Sequence, residues 1–154
     1  MISSLEAEVR LSPAPWVAGP GEPLQVLIVD DVASTRRFLR AVLEHCRDFD
    51  VVGEAGDGRA AIERATALQP DVVLLDISMP LVDGPSALKG VLQGAPNARV
   101  IVVSGMNQTA GPPMLDAGAT AFVPKGITPI EFLERLGDIL GDTETSEQSE
   151  VVGL

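Results

Sequence analysis

The sequence predicts an α/β fold, a doubly wound five-stranded parallel sheet with helices on both faces. Five short apolar runs, mostly β-branched, recur along the chain; each is too short for a helix and is bounded by Gly, Pro or charge. Helical patterns fill the gaps between them, and such alternation builds a parallel sheet covered on both sides. Aromatic residues are scarce, with four Phe, one Trp and no Tyr. The core must therefore come from Val, Leu, Ile and Ala, which suit strands buried on both faces.

Taken in order, residues 1–24 contain Pro13, Pro15, Pro20 and Pro23 with Gly19 and Gly21, and read as an irregular arm. Trp16 offers apolar area there, either to anchor the arm or as an incidental exposed aromatic. Val26–Val29 is the first strand. Leu39, Val42, Leu43 and Cys46 follow at i, i+3, i+4 and i+7, one face of a helix. Val51–Val52 marks the second strand, and Ala61, Ile62, Ala65 and Leu68 the second helix. Val72–Leu75, Val100–Val103 and Ala121–Val123 are the remaining strands. Pro112-Pro113 interrupts the fourth helical region, so that helix is expected to be short, late-starting or distorted. The last helix is announced by Thr128 as cap, Pro129 at the first helical position and Glu131 closing a capping box. Ile130, Leu133, Leu136 and Leu140 then share roughly one face. Residues 141–154 are acidic and Ser/Thr-rich and read as a disordered tail, leaving 25–140 as the domain.

Composition excludes several classes. A net charge of −11 with no polybasic segment argues against direct nucleic-acid binding. One cysteine, Cys46, forms no internal disulfide, and no Cys/His cluster has metal-ligand spacing. Neither a signal peptide nor a membrane-spanning run is visible. The expectation is a cytoplasmic protein without membrane contact.

Polar residues stand where each predicted strand ends at its carboxyl edge. Asp30 and Asp31 close the first strand, Asp76 the third and Ser104 the fourth, while Lys125 follows the fifth after Pro124. In open parallel sheets these edges border the ligand crevice, deepest where the winding reverses. With strand order 2-1-3-4-5 the three acids converge there, flanked by Ser104 and Lys125. Carboxylates packed together repel unless they share a cation, and oxygen-only ligands suit Mg²⁺ better than zinc or copper. With a lysine and a hydroxyl opposite, the set matches what phosphoryl transfer to a carboxylate requires.

Over residues 25–140 the chain resembles the receiver domains of two-component response regulators, of the stand-alone type, with a flavodoxin-like fold. The matching segments are VLIVDD (26–31), PDVVLLDISMPLVDG (70–84), VIVVSG (100–105) and DAGATAFVPK (116–125). The resemblance implies that Asp76 is the phosphoacceptor. It implies that Asp30, Asp31, Asp76 and the backbone carbonyl of Ser78 hold Mg²⁺, and that Ser104 and Lys125 bind the phosphoryl oxygens. Phe122 stands where the family carries an aromatic that turns inward as the Ser/Thr hydroxyl moves. Gly105 stands where a small residue leaves room for the donor phosphohistidine. Ser78 and Met106 stand where attack of water on the phosphoaspartate is tuned; Met106 is a weak hydrogen-bonding group, so slow self-dephosphorylation is expected. Two features depart from the pattern. Gly126 follows Lys125 where many relatives have proline in a cis bond, and a cis bond before Gly costs ~2.5–4 kcal/mol. Pro112-Pro113 lies in a helix that many relatives use for output.

Each residue alone also has a plainer reading. A strand-ending Asp is often a turn former, Ser104 a cap, Lys125 a solvated charge and Phe122 a core residue; the combination in register lifts them. Gly53, Gly56 and Gly58, in the order G-x-x-G-x-G, read as a strand-to-helix turn rather than a nucleotide loop. Arg36, Arg37 and Arg40 read as a solvated helix face or, more sharply, as a surface that docks a kinase's helical domain. His45, the single histidine, has no neighbouring acid motif and is not expected to donate phosphate.

The function implied is a phosphoacceptor switch, not an enzyme in the ordinary sense, served by a histidine kinase or histidine phosphotransfer protein. Its output passes to an unknown downstream protein by contact, since about 14 residues after the last helix form no second domain. Two other readings compete: a phosphorylation-independent interaction module, and an aspartyl-phosphate hydrolase. Against the latter, the acid pair is D-D rather than D-x-D and no cap-sized insertion follows.

Overall fold

A computed structural model describes residues 22–77, 84–105 and 111–152. The elements alternate along the chain: β1 (Leu24–Val29), α1 (Ala33–Glu44), β2 (Phe49–Ala55), α2 (Gly58–Leu68), β3 (Val72–Asp76), α3 (Gly84–Gly94), β4 (Arg99–Ser104), α4 (Gly111–Asp116), β5 (Ala121–Pro124) and α5 (Pro129–Val152). The five strands form one sheet in the order β2-β1-β3-β4-β5. All four pairings are parallel. The predicted fold class and strand order are those observed.

Because side chains alternate along a strand, each apolar run feeds two cores. Val26 and Ile28 of β1 with Val72 and Leu74 of β3 pack with Leu39 and Leu43 of α1 and Leu136 of α5. Leu27 and Val29 with Val73 and Leu75 face the other way, onto Ala61 and Ala65 of α2 and Leu88 and Val91 of α3. Every residue of β3 is buried, as a central strand covered on both faces requires. Between α2 and α3, Gly90 and Gly94 lie against Ile62 and Thr66, so close that a Cβ at either glycine would collide. Their cost in helix propensity is offset by that approach.

Several boundaries differ from the sequence reading. Leu24, assigned to the arm, belongs to β1: it is buried, pairs with Phe49, and its N–H donates to the Asp48 carbonyl at 2.8 Å. The arm's proline- and glycine-rich composition masks this core residue. The second strand is seven residues rather than a Val-Val pair, because its register shifts opposite Val26/Leu27 and its pattern mixes faces. Gly53 consequently lies inside β2, and only Gly56 and Gly58 serve the turn into α2. The last helix continues through the segment read as a disordered tail. No Pro or Gly occurs between Asp142 and Val152 to break the backbone. Its start is as expected, with the Glu131 N–H donating to Thr128 Oγ1 at 3.1 Å. The fourth helix is short, six residues, with Pro112 and Pro113 in its first turn, where no N–H is required. Trp16, Ser78 and Met106 lie outside the described residues. No helix among the described residues is long and apolar enough to cross a membrane.

Candidate functional site

The carboxyl edge of the sheet gathers the polar residues singled out in the sequence. β1 ends at Val29, delivering Asp30 and Asp31 to the edge; β3 ends on Asp76, β4 on Ser104, and Lys125 follows β5. β1 and β3 pair directly, in register Val29↔Leu75. The first two acids therefore emerge beside the third.

Among the described residues Asp30, Asp76 and Ser104 are the buried polar ones, at 1%, 2% and 3% exposure. Burying a carboxylate is costly without a partner, so their joint burial at one spot demands compensation. Lys125 supplies it: Nζ lies 2.7 Å from Asp30 Oδ2 and 3.3 Å from Asp76 Oδ2. Burial works against the ammonium charge, but the hydrogen bond to Asp30 and the attraction of Asp76 and Asp30 outweigh it and raise the lysine's pKa. Asp31 is exposed. One carboxylate oxygen from each of Asp30, Asp31 and Asp76 falls within a 4.8 Å group, compact enough for all three to ligate a single cation.

Asp30 is held by four hydrogen bonds. Its N–H donates to the Ala55 carbonyl at 3.0 Å, and its own carbonyl accepts from Arg36 Nη1 at 2.6 Å. Oδ1 accepts from the Val32 N–H at 2.9 Å and Oδ2 from Lys125. Arg36 Nε also reaches Glu54 Oε1 at 3.1 Å, and Arg40 Nε holds Glu54 Oε2 at 2.7 Å. The Arg40 hydrogen bond, opposed by partial burial and aided by Arg36, depresses the Glu54 carboxyl pKa. Two of the three arginines read as a solvated or docking face thus grip β2, and Arg37 is the exposed one. Nothing in the sequence signals this clasp, since its partners come from separate elements.

The remaining site residues fall as follows. Phe122 is half-buried on β5 and packs toward the α2–α3 side. A Cβ on Gly105 would lie 3.2 Å from Lys125 Cβ, so the lysine stem itself calls for a small residue there. Among the described residues no peptide bond is cis. The Lys125–Gly126 bond is trans, and the turn is made by Gly126 at φ +85°, a conformation open to glycine. Beside the site, a groove of about 280 Å³ runs between α1 and the loop after β5, lined by Thr35, Phe38, Lys125, Ile127 and Phe132.

Residues 26–137 match the response regulator receiver domain family, and the chain belongs to that family. It is 39% identical over 116 residues to the chemotaxis protein CheY of Thermotoga maritima, covering 75% of this chain and 96% of that one. It is 44% identical over 108 residues to a protein-glutamate methylesterase/protein-glutamine glutaminase of Geobacter sulfurreducens, covering 68% of this chain but 30% of that protein's length. Among solved structures, the CheX–CheY–BeF3–Mg complex from Borrelia burgdorferi aligns with a TM-score of 0.73 at 30% identity, covering 82% of this chain and 98% of that one.

Proposed function

We propose that this receiver domain is a phosphoacceptor switch, taking a phosphoryl group on Asp76 from a histidine kinase or histidine phosphotransfer protein. The observation that carries the reading is the Lys125 ammonium lying between the buried Asp30 and Asp76 carboxylates, with Asp31 alongside. The donor set is all oxygen, as magnesium prefers. Asp31, Asp76 and Asp30, with the Ser78 carbonyl, would hold Mg²⁺, which would neutralise charge on the phosphoryl oxygens.

A carboxylate oxygen of Asp76 attacks phosphorus in line as the phosphohistidine nitrogen leaves with the electron pair of the broken P–N bond. Lys125, already charged and within reach, stabilises the equatorial oxygens, and the Ser104 hydroxyl at the end of β4 donates to one of them. The groove beside Lys125 gives the donor domain an apolar seat next to the acceptor. Phosphorylation converts the carboxylate that faces Lys125 into a larger, more highly charged group. That change biases Ser104, Phe122 and the surface around α4 and β5 between two states, through which a downstream protein is engaged. In this reading the site serves its own modification and hydrolysis, as part of a cytoplasmic signalling domain.

Incubation with acetyl phosphate and Mg²⁺, followed by intact-mass measurement, tests the assignment. The expected result is one phosphoryl adduct on the wild type and none on Asp76→Asn. An adduct of equal yield on the variant overturns it.

A further inference from the structure

The cation site rests on one exposed ligand, Asp31, flanked by the heavily bonded Asp30. The Asp30 carbonyl belongs to the same planar peptide unit as the Asp31 N–H. Whatever holds that carbonyl fixes the plane from which the Asp31 side chain departs. Arg36 Nη1 holds it at 2.6 Å, and the arginine is itself fixed by Glu54 at 3.1 Å and by its place in the first turn of α1. Gly56 keeps the path open, since a Cβ there would lie 3.3 Å from Nη1. Arg40 offers a built-in comparison. It grips the same Glu54 carboxylate at 2.7 Å and adds Glu44 at 3.2 Å, and neither bond reaches the Asp30 carbonyl.

We infer that Arg36 is a positioning residue for the divalent cation: by clamping the Asp30 carbonyl against β2 it aims the Asp31 carboxylate at the site shared with Asp30 and Asp76. This rests on the magnesium-dependent reading above and assigns a structural cause to its affinity. Charge alone predicts the opposite effect. Removing an arginine near three carboxylates strengthens cation binding electrostatically, whereas loss of a ligand-orienting bond weakens it, typically ten- to a hundredfold.

The test is Mn²⁺ binding to the full chain, read from the free-ion EPR signal and checked by Mg²⁺ competition, with thermal unfolding recorded alongside. Arg36→Ala is expected to bind Mn²⁺ about tenfold more weakly, at the low end of that range because the bond acts through a peptide plane. Arg36→Lys keeps the charge but not the two-armed grip, and is expected to lie between Arg36→Ala and wild type; it gives the reading if the alanine variant folds poorly. Arg40→Ala is expected to lower the unfolding temperature without weakening Mn²⁺ binding. Wild-type affinity in both Arg36 variants, or an equal loss in Arg40→Ala, overturns the inference while leaving the phosphoacceptor reading intact. Failure of the wild type to bind either ion overturns both.

Discussion

The two edges of the sheet use the same chemistry to opposite ends, and β3 displays both. At its amino end Asp71 is exposed and accepts from the Gln25 N–H at 2.8 Å. Its own N–H donates to the Gln25 carbonyl, and its carbonyl accepts from the Arg99 N–H, each at 2.9 Å. Arg99 in turn donates to the Leu140 carbonyl at 3.2 Å. The Asp71 bonds stitch β3 to its neighbouring strands, and the Arg99 bond ties β4 to α5. At the carboxyl end Asp76 is buried against Lys125 and two further acids. Charge is dispersed at one edge and concentrated at the other. Concentration costs stability, and a fold retains it where the crowded groups have work to do.

The largest expected break in this contrast is Lys125→Met. It leaves two buried carboxylates without their counter-charge and should lower stability by about 2 kcal/mol at neutral pH. That is less than the 3–5 kcal/mol for fully buried pairs, because Lys125 is 27% exposed. Added Mg²⁺ should recover much of the loss, since a cation bound to the folded state replaces the ammonium. Urea titrations with and without the ion provide the check. The wild-type contribution has a defined pH window. The lysine pKa is raised by folding, so its stabilisation is complete below the ordinary value of 10.5 and fades as pH climbs through the raised one. Wild type and variant should therefore converge in strong alkali, and a gap that widens there contradicts the pairing.

At the amino edge, Asp71→Ala should cost no more than about 1 kcal/mol, the worth of an ordinary hydrogen bond, and leave the acetyl-phosphate adduct at wild-type yield. Impaired phosphorylation in this variant would mean the two edges are coupled and the contrast is false. The smallest effect concerns Cys46, near the same edge. Burial pushes its thiol up to about 12, and Sγ donates to Asp48 Oδ2 at 3.3 Å. Since the thiolate is the reactive form, an aromatic disulfide reagent should label it only at the rate of unfolding. Rapid labelling of the native chain would show that this edge opens.

How much of this was legible in the sequence follows from how each feature is encoded. The acids, serine and lysine could be placed because each ends or follows a strand whose apolar run fixes its position, and parallel order carries those ends to one edge. Leu24 and the length of β2 are not legible, because a core residue beside proline and a strand with a register shift lack a clean period. The Lys125–Gly126 turn was open in the sequence, and Gly126 at positive φ makes it without a cis bond. The roles of Arg36 and Arg40 were missed, since their partner Glu54 is linked to them by packing alone.

The sequence by itself determined the class of fold and the chemistry available at one edge, because both depend on local periodicity and on which residue ends each run. Only the tertiary structure decided how tightly the charges meet, which arginines are spent on β2, and what steadies the Asp30–Asp31 peptide. Those are distances between elements remote in the chain, and no pattern along a single strand or helix records them.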